Sequence, residues 1–169
     1  MTKPFDVITE YLDHLEWRYV PHEGEGMIKF GLAAQNCKLD CLVHVIEDQE
    51  FVLFFTVLPI LVPENKRLSI AEYITRANYG LNAGCFEMDF EDGEVRFRTY
   101  ANTDSNALNI EIVRHLLHTN VQTMDKYSPG LMKVVYGNIS PSDAVKEVEN
   151  ANDDEEDDDT NRLLKDLLE

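Results

Sequence analysis

The sequence has few cationic side chains and no long apolar run. Of its 169 residues, 15 are Lys or Arg and 32 are Asp or Glu, giving a formal net charge of −17. The composition therefore offers no basic surface for nucleic acid, and an anionic membrane surface would repel the chain. No stretch approaches the roughly 18–20 apolar residues of a membrane span, and the first ten residues lack a signal peptide's apolar region. We therefore predict a cytoplasmic protein that binds neither nucleic acid nor membranes.

Cysteine is also scarce, and the common catalytic motifs do not occur. Three cysteines in a chain without an export signal favour buried thiols over a disulfide framework. The chain contains no G-x-S-x-G, P-loop, G-x-G-x-x-G or H-E-x-x-H sequence. The absence of these motifs lowers the odds of an enzyme without excluding one. We expect no cofactor.

The cysteines do not have the spacing of a zinc site. Three residues separate Cys37 from Cys41, with His44 and Cys85 as further candidate ligands. A structural zinc site usually has a second ligand pair at matching spacing, which is missing here. On a continuous strand His44 would point away from the two thiols. We interpret the thiols as small buried hydrophobic side chains.

Two other sets of residues contain side chains that can bind metal ions, but neither set has the spacing of a metal site. His115 and His118 share a helix face but have no third ligand nearby in sequence, and we interpret them as a partly exposed pair beside the core. The acidic run 153–159 lacks the D-x-D-x-D-G loop of a calcium site. We therefore predict no metal centre.

The clearest local pattern is a predicted β-hairpin around Asp92-Gly93. Apolar and polar side chains alternate strictly on both sides of these two residues, which are typical of a two-residue hairpin turn. The expected apolar pairs are Phe90/Val95, Met88/Phe97 and Phe86/Thr99, and the expected charged pairs are Asp89/Arg96 and Glu87/Arg98. We interpret the charged pairs as a solvated sheet face rather than an anion site.

Hydrophobic periodicity, capping residues and helix breakers predict the remaining elements. The first predicted helix is Pro4–Leu15, capped by Thr2. The second runs from a Ser69-x-x-Glu72 capping box to Gly80 or Gly84, and the third runs from a cap within Thr103–Asn106 to about Lys126, with a break or restart at Ser128-Pro129. A short fourth helix is predicted from Pro141 to about Glu149. The predicted strands are a short extended segment at Trp17 and Tyr19, then Met27–Ala34, Leu39–Ile46 and Phe51–Leu58, with a loop over Pro59–Arg67.

The predicted strand Phe51–Leu58 is apolar on both faces, which suits a central strand covered on both sides. If helices cover one face, then a helix, a second subunit or a partner should cover the other. We favour a second subunit in part. The aliphatic run Ile60-Leu61-Val62 in the following loop is a second candidate surface, because such a run requires burial.

The C-terminal segment is strongly acidic and ends in paired leucines. Residues 143–169 hold 12 acidic and 3 basic side chains, and Asn150–Asp159 should be a solvated linker. Leu163, Leu164, Leu167 and Leu168 would share one face of a two-turn helix, which is marginal in water unless it is docked. Docking on its own domain or on a partner, and fraying of the chain end, both remain open.

The pattern N-Y-G-L-x-x-G-x-F-E-x-D-x-x-D-G-E-V-R-F-R, from Asn78 to Arg98, resembles the YbjN family. These bacterial proteins are often labelled as sensory transduction regulators, and the resemblance covers about residues 4–136. It implies an α+β fold like that of the type III secretion chaperones, α-β-β-β-α-β-β-α, with a five-stranded, mainly antiparallel sheet, usually in a homodimer. It implies no catalytic residue. The expected division is a YbjN-like domain over 1–137, a short C-terminal helix over 138–150, and an acidic linker with a short Leu-rich helix over 151–169.

The leading functional hypothesis is a cytoplasmic, homodimeric, non-enzymatic module, chaperone-like or regulatory, that binds an unidentified protein without a cofactor. The candidate partner-binding residues are Ile60, Leu61, Val62, Leu163, Leu164, Leu167 and Leu168. The acidic tail would compete for the binding surface or recruit a basic partner. One alternative is a small enzyme or ligand-binding protein whose cleft is lined by acidic groups and His44, His115 or His118. Another is a stress or assembly factor whose polyacidic tail buffers basic proteins.

Overall fold

The computed structural model describes residues 3–103 and 108–151, which hold six strands and four α-helices. The helices are α1 (Pro4–His14), α2 (Arg67–Gly80), α3 (Ile110–Tyr136) and α4 (Pro141–Asn150). The strands are β1 (Tyr19–His22), β2 (Met27–Ala33), β3 (Lys38–Ile46), β4 (Phe51–Leu61), β5 (Cys85–Met88) and β6 (Glu94–Asn102). None of the helices in these ranges combines the length and apolar character that a transmembrane span needs.

The strands form one antiparallel sheet in the order β1-β2-β3-β4-β6-β5. The predicted α+β architecture is confirmed, but the sheet has six strands rather than five. The additional strand is β1, where the expected extended segment continues to His22 and pairs with β2 from Tyr19↔Phe30 to His22↔Met27. Pro21, which has no N–H to donate, lies within this edge strand.

The four helices lie on one side of the sheet. Helix α3 packs on β4 and β6, where the Asn120 side-chain amide donates to the Phe54 carbonyl at 2.8 Å. Helix α1 packs beside α3, with the Tyr11 hydroxyl 3.2 Å from His118 Nε2. Helix α4 packs on α2 and α3. The main core therefore fills the space between this side of the sheet and the helices.

Helix α3 continues through Pro129, so the predicted break at Ser128-Pro129 is wrong. Proline removes the N–H that would bond to the Asp125 carbonyl one turn earlier. That carbonyl instead accepts from the Ser128 hydroxyl at 2.9 Å and from Asn36 Nδ2 at 3.2 Å. Because the freed acceptor is satisfied twice, the helix extends to Tyr136.

The hairpin register differs from the predicted one by two residues. The observed pairs are Cys85↔Arg98, Phe86↔Phe97, Glu87↔Arg96 and Met88↔Val95. Aspartate side chains hold a wider turn over residues 90–93: Asp89 Oδ1 accepts from Glu91 N at 2.7 Å, and Asp92 Oδ1 accepts from Glu94 N at 2.8 Å. An even shift leaves each strand side chain on its predicted face, but it places Phe90 in the turn, 52% exposed.

Strand β4 extends beyond its predicted end at Leu58, so the expected loop over Pro59–Arg67 is wrong in its first three residues. The pairing with β6 is irregular between Val57 and Leu61, where Leu61 pairs with Glu94. Proline is tolerated at such an irregularity because its position needs no ladder hydrogen bond.

Three predicted helix caps also differ from the structure. The residue before α1 is Lys3, which makes no side-chain cap bond, and Thr2 lies outside the described residues. Helix α2 begins at Arg67 after a 3₁₀ turn, so Ser69 lies inside the first turn and does not cap it. Helix α3 is capped by Asn109, whose side chain accepts from Ile112 N at 3.0 Å. Of the residues 103–106, where the cap was expected, only Thr103 lies in the described part of the chain.

Candidate functional site

The sheet face that points away from the helices carries an apolar row, which we name the open-face stripe. It consists of Leu42, Phe51, Leu53, Phe55 and Val57. Strand pairing places Leu42 opposite Phe55 on this face, and Phe51, Leu53 and Val57 share the parity of Phe55 along β4. All except Phe55 are partly exposed, and no helix in the described ranges packs over them. The two-sided apolarity of β4 predicted a second apolar face, which the structure contains, whereas the cover expected for it, in part a second subunit, stays a prediction.

Aromatic and cationic side chains flank the open-face stripe on β6. Tyr100 lies opposite Leu53 and is 58% exposed, with its ring centroid 6.0 Å from that of Phe51. The Arg96 guanidinium lies 4.5 Å from the Phe55 ring centroid. A guanidinium over an aromatic face both shields the ring and binds it, which accounts for the low exposure of Phe55 on an open face.

Glu87, Arg96 and Arg98 form a second feature of this face, which we name the arginine cluster. The two carboxylate oxygens of Glu87 accept from Arg96 Nε at 2.9 Å and from Arg98 Nε at 2.6 Å. The two-residue register shift explains why a single glutamate bridges both arginines in place of the two predicted pairs. One positive charge remains unbalanced in the cluster, and the Arg96 and Arg98 side chains are 41% and 33% exposed.

The predicted partner segment Ile60-Leu61-Val62 does not form one surface. Val62 is buried and donates its N–H to the Gly93 carbonyl at 2.9 Å, while Ile60 is partly buried against the core. Only Leu61 is well exposed, at 62%. Sequence reasoning missed further exposed apolar side chains, among them Leu68 and Phe90. The other predicted partner-binding residues, Leu163, Leu164, Leu167 and Leu168, lie outside the described residues.

A separate cleft of about 540 Å³ lies at one end of the sheet. It is lined by the start of α1, the turn before β2 and residues His44–Asp48. Its carboxylate residues are Asp6, Glu23, Glu25, Glu47 and Asp48. The structure thus brings His44 together with acidic groups but leaves His115 and His118 out of this cleft. Across residues 3–103 and 108–151, no group of three or more His, Cys, Asp or Glu residues is arranged to hold a metal ion.

The three thiols occupy different environments. Cys41 faces the core with its Sγ 3.8 Å from Thr56 Oγ1, and burial raises the pKa of its thiol to about 12. Cys37 is partly buried beside Asp125, and its pKa is raised chiefly by burial. Cys85 is partly buried and accepts from Arg98 Nη2 at 3.6 Å. The predicted role as a buried hydrophobic side chain therefore holds fully for Cys41.

His118 is partly buried between α1 and α3. Its Nε2 lies 3.2 Å from the Tyr11 hydroxyl. Burial lowers the pKa of His118, and the nearby charges of Arg114 and His115 lower it further. His115 is exposed, so the pair is asymmetric.

We expect His118 to make folding stability depend on pH. The unfolded chain takes up this proton near the ordinary histidine pKa of about 6.5, whereas the folded chain does so only at lower pH. The free energy of unfolding should therefore fall as the pH falls through about 6.5 toward the lowered pKa. His118→Gln should lose less stability than the wild type between pH 7.5 and 5.5 in urea titrations. His14→Gln, at the exposed end of α1, is the control; the same pH slope in all three proteins would contradict the assignment.

The segment 78–98 that predicted the family has mainly structural contacts. Asn78 pairs with both backbone groups of Phe86: its Oδ1 accepts from Phe86 N at 2.7 Å, and its Nδ2 donates to Phe86 O at 3.1 Å. Gly84 has a φ of 76°, and a Cβ there would lie 2.6 Å from the Phe97 ring. The segment thus closes the β5 edge, shapes the hairpin and supplies the arginine cluster to the open face.

Solved structures with a similar fold include a regulator and complexes of two proteins. The crystal structure of YbjN, described as "a putative transcription regulator from E. coli", matches with a TM-score of 0.54 and 12% identity, over 79% of this chain and 90% of that chain. The crystal structure of the ExsC-ExsE complex matches at 0.51 and 13%, over 74% and 90%. The structure of the HopA1-SchA chaperone-effector complex matches at 0.47 and 13%, over 70% and 87%. The first two likenesses establish the fold.

No curated protein shows a significant sequence match to this chain. The model of the YbjN family, described as "Putative bacterial sensory transduction regulator", matches residues 4–132. This match covers most of the chain, agrees with the resemblance predicted from Asn78 to Arg98, and shows that the chain belongs to the YbjN family.

Proposed function

We propose that this protein is a non-enzymatic protein-binding module, chaperone-like or regulatory, that holds an apolar segment of a partner protein on the open-face stripe. One observation carries the proposal. The stripe is a row of partly exposed apolar side chains along the central strand β4, with no described helix over it. Contiguous exposed apolar surface of this kind marks interaction sites in soluble proteins, and its burial would supply the binding energy.

The comparisons support a protein partner. Family membership indicates a regulatory or protein-binding role, and one protein of similar fold occurs in the ExsC-ExsE complex. We extend to this chain the idea that a polypeptide is the ligand. We also propose a cytoplasmic homodimer, and light scattering on the purified full chain tests that assembly.

Leu53→Glu is expected to weaken partner capture about tenfold or more, because it places a charge in the middle of the contact surface. The chain should stay folded, since Leu53 is already partly exposed. The measurement is quantitative mass spectrometry of proteins retained from native lysate by the full-length wild type and variant, with thermal unfolding of both. Leu68→Glu, the same change at a 78% exposed leucine on α2, is the matched control. Equal capture of the same proteins by wild type and Leu53→Glu would overturn the proposal.

The acidic cleft supports a second candidate function, a small enzyme or ligand-binding protein. His44 and five carboxylate residues line it, and this charge favours a cationic ligand over an anionic one. A small ligand that raises the unfolding temperature of the wild type but not of His44→Ala would support this candidate.

A further inference from the structure

The described chain ends beside the β5 edge of the sheet. Glu149, near the end of α4, accepts from the Tyr127 hydroxyl at 3.2 Å. The same carboxylate lies 3.6 Å from where a Cβ on Gly80 would be. Gly80 ends α2, and only four residues separate it from β5. The last described residue, Ala151, follows Glu149 by two residues and therefore lies close to this edge, on the helix side.

Along residues 152–169 the acidic side chains come before the leucines, and across the open face from β5 the arginine cluster comes before the open-face stripe. A chain that rounds the β5 edge meets the arginine cluster on β5 and β6 first, and then the open-face stripe on β4. In the sequence, the seven consecutive acidic residues 153–159 come first, and the leucines 163–168 follow. The carboxylates of residues 153–159 would thus lie near the arginine cluster while the leucines of residues 163–168 lie on the open-face stripe.

The segment is long enough for this path. The eleven residues 152–162 span up to about 36–40 Å when extended. Crossing a helix layer takes about 10–12 Å, and moving from β5 to β4 takes two strand spacings, about 10 Å. The linker covers this distance with chain to spare.

We propose that residues 152–169 fold over the β5 edge and cover the open face of their own chain, with Leu163, Leu164, Leu167 and Leu168 on the open-face stripe. The inference rests on the proposed function, because the surface covered is the partner surface. A two-turn helix gains the apolar contact that it lacks alone, and the unbalanced positive charge of the arginine cluster gains acidic neighbours. Residues 152–169 then compete with the partner protein for the open-face stripe of their own chain.

Methyl NMR on the full-length protein tests the contact directly. In a variant with all four leucines changed to serine, the methyl resonances of Leu42, Leu53 and Val57 should shift, whereas those of Val43 on the helix side should not. The Asn161→Ser/Lys165→Ser variant changes the same segment without touching the leucines and should leave the stripe methyls in place. Unchanged stripe methyls in the four-serine variant would overturn the inference.

Two further measurements distinguish a failure of this inference from a failure of the proposed function. If the tail covers the stripe in about 90% of molecules, the four-serine variant should bind the captured partner about tenfold more tightly; unchanged affinity would overturn competition in cis. Stripe shifts that vanish on dilution, together with a mass that falls, would assign the tail to a second copy and also overturn it. The proposed function fails separately, through equal capture by wild type and Leu53→Glu.

Discussion

Gly130→Ala is expected to lower the free energy of unfolding by about 2–3 kcal/mol. Gly130 lies where α3 meets α2 and α4. A Cβ there would lie 2.2 Å from Tyr73 Oη and 2.9 Å from Val148 Cγ2. Tyr73 cannot retreat easily, because it is fully buried and its hydroxyl donates to the Tyr127 carbonyl at 2.9 Å. The clash should outweigh the gain of about 1 kcal/mol that alanine brings to a helix interior.

A double-mutant cycle in urea identifies the cause. Tyr73→Phe removes the oxygen that the new methyl would meet, so Gly130→Ala should cost less in that background, although the ring carbon remains 2.9 Å away. Gly80→Ala is the matched control, because its Cβ would meet only an ordinary contact at 3.6 Å. Additive losses in the cycle would show that the tyrosine hydroxyl is not what excludes a side chain at Gly130.

Asp125→Ala is expected to cost about 2–4 kcal/mol of unfolding free energy. Asp125 is 9% exposed on α3. Its Oδ1 accepts from Asn36 N at 2.8 Å and from Cys37 N at 3.3 Å, and its Oδ2 accepts from Asn36 Nδ2 at 3.2 Å. Alanine would leave the backbone N–H groups of Asn36 and Cys37 without this acceptor and weaken the attachment of the β2–β3 connection to the helix. Chemical denaturation measures the loss.

Two milder substitutions measure how much single contacts of Asp125 contribute to the free energy of unfolding. Asp125→Asn keeps one acceptor oxygen and should cost less than alanine. Ser128→Ala removes one of two donors to the Asp125 carbonyl and should cost about 1 kcal/mol. A loss below 1 kcal/mol for Asp125→Ala would mean that the loop folds onto the helix without this carboxylate.

Local patterns predicted the faces of the elements better than their ends. Alternation around Asp92-Gly93 placed Phe86 and Arg96 on the correct sides, since parity survives a shift of two residues. The register was wrong because the side chains of Asp89 and Asp92 bond within the turn and lengthen it. Pro129 looked like a helix break because the donors that satisfy Asp125 include one from Asn36, far away in sequence.

The sequence predicted that a second apolar sheet face exists, but it did not predict the other exposed apolar side chains. Two-sided apolarity of β4 indicated a second apolar face that a helix, a second subunit or a partner should cover, but only strand pairing identified Leu42 as part of it. The exposure of Leu68 was not predicted and Phe90 was wrongly paired with Val95, because these exposures depend on where α2 begins and where the hairpin turns. The close approach at Gly130 likewise depends on tertiary packing that no local pattern contains.

The pairing of Asn78 with Phe86 limits how another protein can bind. It occupies backbone groups on the outer side of β5, while Pro21 lacks a donor on β1, the other edge strand. Neither border of the sheet is therefore a good template for an added strand, and a ligand gains little from main-chain pairing there. If the open-face stripe binds a partner as proposed, selection among partners depends on side chains above the sheet, through the spacing of apolar residues and the charge of the partner segment. An amphipathic helix meets that requirement, and unrelated sequences with the same spacing should be accepted alike.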